Sequence, residues 1–157
     1  MAVDHLAAVE SLANDLDRAG FEPVLVGGMA LVILGSQRVT KDFDFLVAAP
    51  ESSMPDLGRI LDRHRLELTT RLGTGSKVPR VATANRKSGL RVGLLLDHPI
   101  AARDLGRRAV KVRLKKGRIA VAAPEDLLRL KVIARAERES ASDAQDLEFL
   151  KKILKND

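Results

Sequence analysis

Asp42 and Asp44 stand one residue apart in the run Asp42-Phe43-Asp44-Phe45-Leu46-Val47. Successive side chains of a strand point to opposite faces, so both carboxylates project from one face, roughly 6–7 Å apart along the chain. Two like charges held together cost stability unless a cation sits between them. Hard carboxylate oxygens suit a divalent ion, so the pair is read as a site for Mg2+ or Mn2+. Met alone, the same spacing reads as two solvent-facing acids on an edge strand. Here Phe43, Phe45 and Leu46 are expected to bury the strand's other side, which favours the metal. Upstream, the short apolar strand Val24-Leu25-Val26 runs into Gly27-Gly28 and then a helix. Without side chains in the way, backbone N–H groups at that junction can approach a phosphate. Arg38 and Thr40, just before the acids, offer an anion contact and a hydroxyl.

A second cluster lies in the tail. At about 100° per residue, Lys131 falls on the helical face of Leu127 and Ala134. Its stem must pass core side chains and deliver the amine to a polar pocket. That pocket is either the phosphate site, giving Lys131 a catalytic or nucleotide contact, or a structural pairing with Asp143 or Asp146. Those two acids lie three apart on a face shared with Leu147 and Leu150.

The elements that must position these residues follow from periodicity. Apolar positions at Leu6, Val9, Leu12, Ala13 and Leu16 predict an N-terminal helix over residues 3–19, stopped by Gly20. The core, residues 24–122, carries strands at 24–26, 42–47, 66–72, 80–84, 90–96, 110–114 and 118–122. Helices are expected at 29–34, 50–63 and 100–108. Pro124, followed by Glu125 and Asp126, opens the first of two C-terminal helices spanning 124–154. The chain therefore reads as one α/β (α+β) domain over 1–157, with helices packed on a mixed β-sheet.

Composition narrows the function. With no cysteine, disulfide scaffolds, thiol catalysis and cysteine-bound zinc are ruled out. Three well-separated histidines (His5, His64, His98) argue against a multi-histidine metal centre. No apolar run is long enough to span a membrane and no secretory signal opens the chain, so a cytoplasmic protein is expected. Aromatics at 3% argue against base-stacking modules. Between Arg103 and Arg118 stand eight Lys or Arg and one acid, while the rest of the chain has 19 basic against 20 acidic residues. One segment thus holds the whole basic excess. It would attract a nucleotide, tRNA or other RNA, or an acidic partner protein, or it is a solvated hairpin whose lysines discourage edge pairing.

The ordered set Val24-Leu25-Val26-Gly27-Gly28, thirteen residues, then Asp42-Phe43-Asp44 resembles the nucleotidyltransferase superfamily with the DNA polymerase β type of fold. Ala30, Gly35, Arg38 and Thr40, the run Ala123-Pro124-Glu125-Asp126-Leu127, Lys131 with Ala134-Arg135, and Asp143 with Asp146 are similar to its small bacterial branch related to AbiEii-type abortive-infection toxins. The resemblance implies a nucleoside triphosphate substrate, metal on Asp42 and Asp44, and transfer of a nucleoside monophosphate to an acceptor hydroxyl. That family places a third carboxylate on a neighbouring strand. Here Gly93 stands at that position in Leu90-Arg91-Val92-Gly93-Leu94-Leu95-Leu96 and leaves room for a side chain. Asp97 shares its face but is displaced by about 13 Å of strand. Nucleotide binding is expected to survive and turnover to be weakened. The competing readings are a nucleotide- or partner-binding toxin–antitoxin component without turnover and a basic RNA-binding module; with any of them the chain could pair as a homodimer.

Overall fold

The computed structural model describes residues 5–37, 40–48, 51–69, 81–96, 100–115, 117–137 and 143–155. Helix α1 (His5–Arg18) buries Val9, Leu12, Ala13 and Leu16, the stripe its period predicts. The chain then enters β1 (Val24–Val26) and turns at once into α2 (Gly27–Ile33). Gly27 has φ +70°, a conformation that favours glycine, and it lets strand become helix with no loop between. The helix expected to begin at Met29 therefore begins two residues earlier.

Strand β2 (Asp42–Leu46) runs back antiparallel to β1, with Val26 opposite Asp44 and Val24 opposite Leu46. A 3-10 turn (Glu51–Ser53) leads into α3 (Met54–Arg63), which packs against α1. Next come β3 (Glu67–Leu68), β4 (Val81–Asn85) and β5 (Arg91–Leu95), then α4 (Ala102–Arg108). The hairpin β6 (Val110–Arg113) and β7 (Arg118–Val121) follows, and α5 (Pro124–Glu137) and α6 (Asp143–Lys155) pack on each other. Of the strand expected at 66–72, β3 holds two residues, and residues 70–80 lie outside the described part.

The seven described strands form one mixed sheet in the order β3-β4-β5-β2-β1-β7-β6. Pairs β2–β5 and β1–β7 are parallel, the others antiparallel. Register settles the faces, because paired residues point the same way. Phe43 and Phe45 share one face with Leu25, Val92, Leu94, Ala82, Ala84 and Val121, all buried. The opposite face carries Asp42, Asp44, Leu46, Val24, Val26, Arg91 and Gly93. Leu46 thus lies on the carboxylate face and not behind it, as strand parity requires. Helix α4 covers one end of this second face, where Gly106 approaches Val24. At the other end Asp42 and Asp44 are half-exposed and Arg91 is exposed.

Two buried carboxylates fix the later helices. Asp126, in the first turn of α5, accepts hydrogen bonds from Arg108 Nε at 2.8 Å and Nη2 at 3.0 Å, and from Arg129 Nη1 at 2.8 Å. The bond to Asp126 holds the Arg108 guanidinium above its ordinary pKa. Asp146 of α6 is likewise fully buried. No described helix is long and apolar enough to cross a membrane.

Candidate active site

Strand β2 is the middle strand of the sheet, flanked by β1 and β5, so its acids are not an edge pair. Asp44 sits opposite Val26 on one side and Gly93 on the other. Two glycines enclose its carboxylate. A Cβ on Gly27 would lie 2.8 Å from Oδ2, and a Cβ on Gly93 would overlap Oδ1 and lie 3.4 Å from Cγ. Gly27 is required both by its backbone angle and by the carboxylate beside it, a reason the sequence reading missed. Gly28 is buried within the first turn of α2.

The vacancy expected at position 93 is absent. The β2–β5 register does bring Gly93 level with Asp44, but the space a side chain there would enter is filled by Oδ1. Arg91 is the register partner of Asp42, which brings an exposed cation next to the first acid. Its parity with Gly93 was the available signal.

Thr40 Oγ1 accepts a hydrogen bond from the Asp42 backbone N–H at 3.4 Å, which ties the hydroxyl to the start of β2. Arg38 and Asp97 lie outside the described residues, as does the side chain of Asp143, the first residue of α6. Lys131 follows the structural alternative: its Nζ lies 2.8 Å from Asp146 Oδ2, with the lysine side chain 18% exposed and the aspartate fully buried. By sequence, Asp126 is an acid in the favourable first turn of a helix. Its burial between Arg108 and Arg129 was not legible there, although Arg129 three residues on is a local hint.

The donor set fits a hard divalent ion. Two carboxylates share a half-exposed face, and the glycines at 27 and 93 put no side chain against Asp44. Among the described residues no three His, Asp or Glu side chains converge, so substrate or water oxygens would have to complete the shell of such an ion.

The basic segment divides between two elements. On α4, Arg103 pairs with Glu22 at 3.9 Å, Arg107 with Asp104 at 4.0 Å and Arg108 with Asp126. On the hairpin, register puts Lys111, Arg113 and Arg118 on the face of Asp42 and Asp44, all three exposed.

Residues 8–157 match the family described as nucleotidyl transferase AbiEii toxin, type IV TA system. The chain belongs to that family. Its fold is also that of solved nucleotidyltransferases at low sequence identity. Lincosamide antibiotic adenylyltransferase LnuA, solved with lincomycin bound, is 16% identical with TM-score 0.63, over 94% of this chain and 96% of that one. Antibiotic-resistance factor ANT(2'')-Ia is 12% identical with TM-score 0.65, over 98% and 86%. An antigenic nucleotidyltransferase-like protein from Paracoccidioides brasiliensis is 17% identical with TM-score 0.59, over 95% and 76%. Among curated proteins none matches the sequence. The AbiEii-type chain is thus a nucleotidyltransferase-family transferase of the toxin–antitoxin kind, with the mixed sheet expected of that fold.

Proposed function

We infer that this AbiEii-type chain moves a nucleoside monophosphate from a triphosphate to an acceptor hydroxyl, with Mg2+ or Mn2+ held by Asp42 and Asp44. The observation that carries this reading is the placement of both carboxylates on one half-exposed face of the central strand, beside the glycine that opens α2. When bound, the ion would neutralise the triphosphate and polarise the phosphoryl group.

The chain's own groups do the rest. Backbone N–H groups at Gly27 and Gly28 are assigned to the phosphates. The Thr40 hydroxyl, which accepts from Asp42 N–H, keeps its proton to donate to a phosphate oxygen. Arg38 and Arg91 supply cations, Arg91 from its position level with Asp42. Asp143, Asp146 and Asp97 are assigned a supporting role, and Lys131, one of whose three N–H donors faces Asp146, is assigned to a phosphate. The basic hairpin face, Lys111, Arg113 and Arg118, suits a polyanionic acceptor such as RNA.

Gly93 favours a second reading, nucleotide binding without turnover, because β5 brings no carboxylate to the acceptor hydroxyl. One experiment separates the two. Incubation with each labelled triphosphate and a cell extract should release pyrophosphate and leave label on one acceptor class. Metal-dependent nucleotide binding without pyrophosphate would favour the binding module. Salt-dependent RNA binding indifferent to both metal and nucleotide would displace both.

A further inference from the structure

Gly93 looks, from sequence, like a lost carboxylate. The register and the glycine contacts give it a different part. Asp44 lies between Val26 and Gly93. Its Oδ1 reaches over β5 and its Oδ2 reaches toward Gly27, where a Cβ would come within 2.8 Å. The carboxylate therefore lies across the strands, with a glycine at each end. Any side chain at 93 must displace Oδ1, and the aspartate side chain is too short to move one oxygen without turning the other.

We propose that Gly93 is a positioning residue: it holds the Asp44 carboxylate crosswise in the place where a third acid would project, so that the site works with two carboxylates. An acid at 93 and this orientation of Asp44 are mutually exclusive. Adding a carboxylate there weakens the site. The proposal rests on the reading of Asp44 as a metal ligand.

The test uses the full chain and Mn2+ alone, followed through the spectroscopic signal of the free ion, together with melting temperatures in metal-free buffer. Gly93→Ala adds only a methyl group, and Gly93→Asp adds the acid. Both should weaken Mn2+ binding by about 10–100-fold, as expected when the group that orients a ligand is altered. A thermal cycle shows whether the effect runs through Asp44. With Asp44 present, Gly93→Ala should lower the melting temperature. In an Asp44→Ala background, where the slot is vacated, the same change should be neutral or stabilising.

Wild-type Mn2+ affinity in Gly93→Ala, or tighter binding in Gly93→Asp, would overturn the proposal. So would an equal loss of melting temperature in both backgrounds, which would give Gly93 a purely backbone role. Failure of the wild type to bind Mn2+ would sink the metal reading itself, whereas the thermal cycle tests the Gly93–Asp44 contact without any metal.

Discussion

Lys131 and Asp146 bind α5 to α6: the lysine Nζ lies 2.8 Å from a carboxylate oxygen whose side chain is fully buried. A buried charge left without its partner is costly, so this pair makes the sharpest stability prediction. Lys131→Met keeps much of the stem's packing but removes the cation that faces Asp146, and should destabilise by about 3–5 kcal/mol in urea unfolding. Adding Asp146→Leu should recover part of the loss, because the carboxylate that faced the lysine goes too. Normal stability with weakened triphosphate affinity would instead assign the ammonium to phosphate.

Gly27→Ala tests the other glycine beside Asp44. The new methyl group meets both a φ of +70° and Asp44 Oδ2 at 2.8 Å. The expected cost exceeds about 1 kcal/mol, measured by chemical denaturation. Stability equal to wild type would mean that the β1–α2 junction relaxes freely.

Acid stability should depend on Asp15. His64 Nε2 lies 2.6 Å from its Oδ2, and that hydrogen bond holds the carboxyl below its ordinary value of 3.8. Because the folded pKa is the lower one, the unfolded chain takes up the proton first as pH falls. The contribution is complete above the unfolded value and disappears as pH drops through the folded one. Melting temperature against pH should therefore fall less steeply below about pH 4 in Asp15→Asn than in wild type. Parallel curves would contradict this.

Much of the scaffold was legible because its signals are local. The helical stripe of α1, the alternation of Asp42 to Phe45 and the Pro124 start each gave an element close to that observed. The early start of α2 has no local signal because glycine disfavours helix interiors, whereas here Gly27 is the turn itself. The same strand parity that put the two acids on one face should have put Leu46 with them. What local pattern cannot supply is register between distant strands. The juxtaposition of Asp44 with Gly93, and so the filling of the supposed vacancy, depends on pairing across about fifty residues. Asp126 is similar: its main partner, Arg108, lies eighteen residues away on another helix.

The hairpin face yields a test of acceptor chemistry. Lys111, Arg113 and Arg118 share the carboxylate face. Replacing all three by Ser should weaken single-stranded RNA binding and flatten its log–log salt slope by about 2, since each phosphate contact contributes roughly 0.7. Free triphosphate binding should change little. An unchanged salt slope would remove RNA from this face.

The central claim is that Asp42 and Asp44 together hold the ion that brings a triphosphate to this face. Its most direct test is triphosphate binding by calorimetry, with and without Mg2+, for wild type and for Asp42→Asn with Asp44→Asn. The account predicts that wild type binds more tightly with Mg2+, that the double variant folds with equal or higher melting temperature in metal-free buffer, and that its binding no longer responds to Mg2+. A folded double variant that binds triphosphate with undiminished Mg2+ dependence would contradict the account.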